Sequence, residues 1–191
     1  MPKLGMEPIR RDALVKATIA EVGQAGTLDV TMSRIARRAG VSPALAHHYF
    51  GGKDDLLVAA MRHILAGYGA SVRAGLIGAD TPRARLAAIL DASFGPEHFE
   101  PHVVAAWLQF YLHAQTSPGA RRLLRIYHAR LRSNLVAALR PLAGPRAPDL
   151  AETAAALIDG LYIRAALGAE GRGAAPEARV LATLDSLLDA T

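Results

Sequence analysis

Apolar positions along this chain recur at intervals of three and four residues, the period of an amphipathic helix, and no strand-type alternation stands out. Leu14, Ala17, Ile19 and Val22 share one face, which predicts a first helix over 10–25 that stops at Gly26. Two short helices are expected between Thr31 and Phe50. Leu56, Leu57, Ala60, Met61, Ile64 and Leu65 then predict a long helix from 53 or 54 that fades through Gly67, Gly69 and Gly75. Asp80-Thr81-Pro82 is a helix entry signal for 83–93, and Gly95-Pro96 breaks that helix. Further helices are expected over 101–116, 120–142, 150–167 and 176–189. Their separators are Ser117-Pro118-Gly119, a loop holding Pro141, Gly144, Pro145 and Pro148, and the glycines 168, 171 and 173. The expectation is an all-α chain of about nine helices, with a flexible arm over 1–9, a three-helix domain over 10–52 and six helices over 53–191.

The segment 31–53, TMSRIARRAGVSPALAHHYFGGK, carries the clearest functional pattern. Thr31 is placed to cap a helix whose stripe is Ile35, Ala36 and Ala39. Gly40 follows, where a left-handed backbone suits glycine, and Val41 is placed to pin the inter-helix angle. Ser42 caps the second helix, with Pro43 at its first position, where a missing N–H costs nothing. Gly51-Gly52 ends it. The segment holds Arg34, Arg37, Arg38 and Lys53 and no acidic residue. A compact helix-turn-helix bearing unopposed positive charge is a device for entering the major groove of DNA. On that reading Pro43, Ala44, His47 and His48 face the bases, with Ser33 nearby. Thr31, Ser42, Tyr49 and Lys53 are placed for phosphates, and Arg10 and Arg11 add to them from the first helix.

The pattern T-x-x-x-I-A-x-x-A-G-V-S, the aromatic pair Tyr49-Phe50 and the following Gly51-Gly52-Lys53-Asp54-Asp55-Leu56-Leu57 resemble the DNA-binding domain of TetR-type transcriptional regulators. The likeness spans 10–65, and His47 stands where the family usually has tyrosine. It implies a repressor reading a palindromic operator on double-stranded DNA, with a helical effector-binding and dimerisation domain over 53–191. Residues 2–11 and the run Ala46-His47-His48-Tyr49-Phe50 are similar, more narrowly, to the choline-responsive repressors of that family. That likeness implies choline as effector and choline-to-glycine-betaine genes as target. A regulator of the same fold sensing a hydrophobic cation or an acyl compound is the alternative.

Composition narrows the classes. The chain has 191 residues, no cysteine and a net charge of +5, which rules out disulfides and thiolate metal sites and favours anionic partners. No apolar run approaches the roughly 18 residues that span a bilayer, and no signal-peptide core follows the first charges, so a cytoplasmic protein without a membrane partner is expected.

Candidate chemistry lies mostly in the later helices. The seven histidines form no H-E-x-x-H, and neither a G-x-S-x-G elbow nor a phosphate-cradling loop is present. The expectation is therefore no catalytic residue, no metal and no cofactor. Glu97-His98 and Glu100-Pro101-His102 read as a polar loop, with metal binding as the rival. Five of the ten aromatics, Phe94, Phe99, Trp107, Phe110 and Tyr111, fall within 94–111. They serve either as core or as a pocket whose ring faces attract a quaternary ammonium group. Asp91 and Asp159, within apolar helices, are either hydrogen-bonded structurally or the counter-charge for such a cation. Against this, 101–148 holds seven arginines and no acid. The last two helices are rich in alanine and leucine, which fits either an internal core or a homodimer interface.

Overall fold

The computed structural model describes residues 5–168 and 175–190, and all regular structure among them is helical. The chain forms two compact units, one built from 1–66 and 100–124, the other from 67–99 and 125–191.

The first unit begins with α1 (Met6–Ala25), α2 (Met32–Arg38) and α3 (Pro43–Phe50), followed by the first part of α4 (Lys53–Leu76). α6 (Pro101–Thr116) and the start of α7 (Pro118–Ala143) complete it. Leu14, Val22, Ile35, Leu56, Met61 and Phe110 are fully enclosed at its centre. α1 packs on both α2 and α6. The α1–α6 approach depends on Gly23, since a Cβ there would lie 2.2 Å from the carbonyl oxygen of His102. α1 starts four residues ahead of the expected 10, so 6–9 of the anticipated arm are helical, while 1–4 lie outside the described residues. Pro8 is tolerated because amide groups in a first helical turn have no intrahelical acceptor.

The second unit holds the end of α4, α5 (Pro82–Ser93), most of α7, α8 (Ala147–Ala166) and α9 (Pro176–Asp189). Its core gathers Val72, Leu86, Ile89, Leu90, Leu131, Leu135, Leu139, Ala154, Ile158, Val180 and Leu184. Thr81 caps α5 by accepting from the Ala84 amide at 3.1 Å, and an Arg83–Asp185 ion pair ties α5 to α9. Short 3-10 turns cover Pro96–His98 and Gly144–Arg146.

Three helices depart from their expected ends. α4 does not fade at its glycines, because burial of Val72 and the close approach of Gly75 to Ala88 hold the helix in place. α7 opens at Pro118 with only Ser117 between it and α6, and it runs past Pro141 to Ala143. α8 opens at Ala147, with Pro148 in its first turn. Of the glycines expected between α8 and α9, Gly168 ends α8 with φ 70°, and Gly171 and Gly173 lie outside the described residues.

Candidate nucleic-acid interface and effector site

α2 and α3 form the helix-turn-helix through local hydrogen bonds. The Thr31 hydroxyl accepts from the Arg34 amide at 3.2 Å, and the Ser42 hydroxyl accepts from the Leu45 amide at 3.2 Å. The turn needs its glycine: Gly40 has φ 68°, and the Val41 amide returns to the Ala36 carbonyl at 3.0 Å. Ala46 is the fully buried residue of α3, so Pro43, Ala44, His47 and His48 face outward together. Thr31, Ser33, Ser42 and Lys53 are exposed as well, and Tyr49 is half-buried.

The charge on this surface is not unopposed. Glu21 of α1, outside the acid-free segment, is buried and takes ion pairs from both Arg34 and Arg38. The Arg38 hydrogen bond, with the Arg34 charge beside it, outweighs burial and holds the Glu21 carboxyl below its usual range. The arginines of α2 thus split: two lock α2 to α1, and Arg37 stands exposed in the last turn. Arg11 is also engaged, paired with Glu7 at 2.8 Å and lying 5.3 Å and 5.1 Å from the ring centres of Tyr49 and Phe50. Lys53 donates to the Leu28 carbonyl at 3.3 Å, which fixes its ammonium beside the loop before α2.

The family model of bacterial regulatory proteins of the tetR family matches residues 14–60, and that of the C-terminal region of BetI-type transcriptional repressors matches 82–191. The HTH-type transcriptional regulator BetI of Brucella anthropi is 56% identical over 176 residues, covering 92% of this chain and 91% of its own. Its counterpart in Rhizobium meliloti is 55% identical over 168 residues, covering 87% and 83%. The chain belongs to the TetR family. It is a DNA-binding transcriptional repressor with a BetI-type C-terminal region, not an enzyme. A transcriptional regulator of Pseudomonas aeruginosa PAO1 has the same fold, with a TM-score of 0.82 at 27% identity, covering 98% of this chain and 91% of that one. A regulator from Saccharomonospora viridis, solved in complex with choline, matches with a TM-score of 0.78 at 22% identity, covering 95% and 96%.

The aromatics of the later helices divide between the two units, and the second unit holds the larger set. Phe94 stacks on Phe99 with ring centres 6.4 Å apart, and Phe99 lies 5.1 Å from Tyr162. Tyr68 sits edge-on to Tyr127 at 5.4 Å and to His98 at 5.9 Å. Asp159 lies 3.9 Å from the His128 ring, and its charge helps raise the Tyr68 phenol, behind the larger effect of burial. Burial pushes Tyr162 up to about 12, and its hydroxyl donates to the His98 carbonyl at 3.0 Å. Burial also lowers His98, outweighing the opposite pull of Glu97. Tyr68, His98 and Tyr162 are thereby favoured as neutral rings, and with Phe94 and Phe99 they offer π faces in the unit that also holds Asp159.

Trp107, Phe110 and Tyr111 form the other group, on α6 in the first unit. Trp107 meets Tyr111 edge-on at 5.2 Å, and both Trp107 and Phe110 are buried in that unit's core. Asp91 is exposed on α5 and lines a cavity of about 460 Å3 with Ser71, Gly75, Ile77, Ala84 and Ala88. Burial, and less so Glu177, raise its carboxyl. Of the expected cluster over 94–111, Phe94 and Phe99 belong to the second unit and Trp107, Phe110 and Tyr111 to the first. Tyr68, Tyr127 and Tyr162, outside the expected set, arrive from α4, α7 and α8, and the sequence carries their signal: each is the sole Phe, Tyr or Trp in its helix.

Glu97–His98 at 3.7 Å and Glu100–His102 at 3.8 Å are separate pairs. Among the described residues no three His, Cys, Asp or Glu side chains gather to hold a metal. No described helix is long and apolar enough to cross a membrane. α9 buries Val180 and Leu184 against the core of its own unit. Outward on α8, Ala156, Gly160, Ile163 and Leu167 follow one another at helical spacing and are exposed, Leu167 by 70%.

Proposed function

We propose that this repressor controls choline-to-glycine-betaine genes and responds to choline. In this reading α3 enters the major groove, Pro43, Ala44, His47 and His48 face the bases with Ser33 nearby, and Thr31, Ser42, Tyr49 and Lys53 meet phosphates. Supporting it are the outward alignment of those α3 side chains and the BetI-type match over 82–191. The observation that carries the effector reading is the neutral aromatic group of Phe94, Phe99, Tyr68, Tyr127 and Tyr162 beside Asp159. A trimethylammonium head is large, weakly hydrated and cationic, and such a group gains from π faces and a nearby carboxylate. Choline bound to a regulator of the same fold supports the same choice.

The repressor acts as a cytoplasmic homodimer on a palindromic operator, using the exposed α8 stripe as a two-fold contact. One helix-turn-helix covers only a short half-site, and pairing two of them supplies the missing specificity. The deciding test is a gel shift on the DNA upstream of choline-oxidation genes, with and without choline, across a salt series. Lys53→Ala should weaken all sequences equally and make the salt slope shallower by about one unit. Absence of any sequence-selective shift would overturn the reading. If tetramethylammonium or an amphipathic cation releases the DNA and choline does not, the effector is another hydrophobic cation.

A further inference from the structure

His47 is tied to Gly51 twice. The Gly51 amide donates to the His47 carbonyl at 2.7 Å, closing the end of α3. The ring Nδ1 of His47 lies 3.1 Å from the Gly51 carbonyl oxygen. A carbonyl oxygen only accepts, so the proton of this bond sits on Nδ1. In the neutral ring Nε2 is then an acceptor with its lone pair on the opposite edge. Residue 47 is exposed, on the outward face of α3 with Ala44 and His48. His48 differs: its described contact is with the Tyr49 ring at 5.7 Å, which fixes no tautomer.

A fixed acceptor on a groove-facing helix has a limited choice of partners. In the major groove, guanine presents N7 and O6 acceptors and thymine the O4 acceptor, none of which can pair with an acceptor. Only adenine N6 and cytosine N4 present donors there. We infer that His47, locked by Gly51 with its proton on Nδ1, reads an exocyclic amine of adenine or cytosine at one position of each operator half-site. The inference rests on the DNA-reading role proposed for α3. It makes His47 a specificity residue whose preference is set by the end of its own helix rather than by the DNA.

The test is selection from randomised duplexes at pH 8, where an ordinary imidazole is neutral, followed by sequencing. Wild type should select adenine or cytosine at one position in each half-site, about fivefold over guanine, the worth of one net hydrogen bond. His47→Ala should flatten that position and leave the rest of the site unchanged. His47→Lys, a pure donor on the same exposed site, should move the choice to guanine. Selection of guanine or thymine by wild type at the position that His47→Ala flattens would overturn the inference, as would a site indifferent to both His47 variants. If wild type selects no sequence at all, the DNA-reading role itself fails, and the inference with it.

Discussion

His113 of α6 places its Nε2 2.7 Å from the Oδ1 of Asp54, the second residue of α4, which begins three residues after the last residue of α3. The approach is off the line of an aligned hydrogen bond, and the Nε2 is buried with no other partner. The other carboxylate oxygen of Asp54 accepts from the Ser117 hydroxyl at 3.2 Å, and the same hydroxyl sits 3.4 Å from the Ala120 amide in the first turn of α7. One carboxylate thus clasps the end of α6 and the start of α7 to the first turn of α4. All of these residues belong to the first unit.

Removing that carboxylate leaves a buried imidazole nitrogen and a buried hydroxyl without their shared acceptor. Asp54→Ala should therefore destabilise the protein by about 1–3 kcal/mol in thermal or urea melts. Asp55→Ala, at the exposed neighbouring position, should change stability by under about 0.5 kcal/mol. Equal effects from the two variants would show that the clasp contributes nothing.

Glu21 predicts an acid-sensitive limb. Its folded carboxyl titrates below the ordinary glutamate value of 4.5, chiefly through the Arg38 hydrogen bond. A depressed folded value means the stabilisation is complete above the unfolded value and is lost as pH falls through the folded one. Wild-type stability should therefore decline as pH drops below 4.5. Glu21→Gln should be less stable by about 1–2 kcal/mol near pH 7, with a shallower decline in acid. Parallel pH profiles for the two proteins would remove Glu21 as the cause.

The two aromatic groups predict different failures. Phe99→Ala should weaken choline by about 1–2 kcal/mol, roughly five- to thirtyfold, in calorimetry. Asp159→Asn should weaken choline and leave an uncharged ligand of the same shape unaffected. Trp107→Ala, in the first unit's core, should instead cost about 3–5 kcal/mol of fold stability. A wild type that gives no heat with millimolar choline would end the choline reading and leave the regulator reading intact.

The α8 stripe predicts where a charge breaks assembly without breaking the fold. Ile163 is 38% exposed in the single chain, so Ile163→Arg should fold normally and sediment as a monomer. Leu184→Arg places a charge in the unit's own core and should unfold the protein, because Leu184 is fully buried. A folded dimer with arginine at 163 would move the two-fold contact elsewhere.

The helix-turn-helix is legible along the chain. Thr31, Ser42, Pro43, Gly40 and Gly51 act through hydrogen bonds and backbone angles that reach only a few residues, so each could be read in place and each took the expected position. The outward face of α3 follows from helical period alone once Ala46 is recognised as its buried residue. What depends on distant chain was decided by packing. Glu21 neutralises two arginines 13 and 17 residues away, because α1 lies against α2. α4 keeps its helix through three glycines because burial of Val72 outweighs their weak propensity. The aromatic group of the second unit draws Tyr68, Tyr127 and Tyr162 from three helices, while Trp107, Phe110 and Tyr111 belong to the first unit. Ring–ring contact is set by which helix faces meet, and no local pattern along the chain records that.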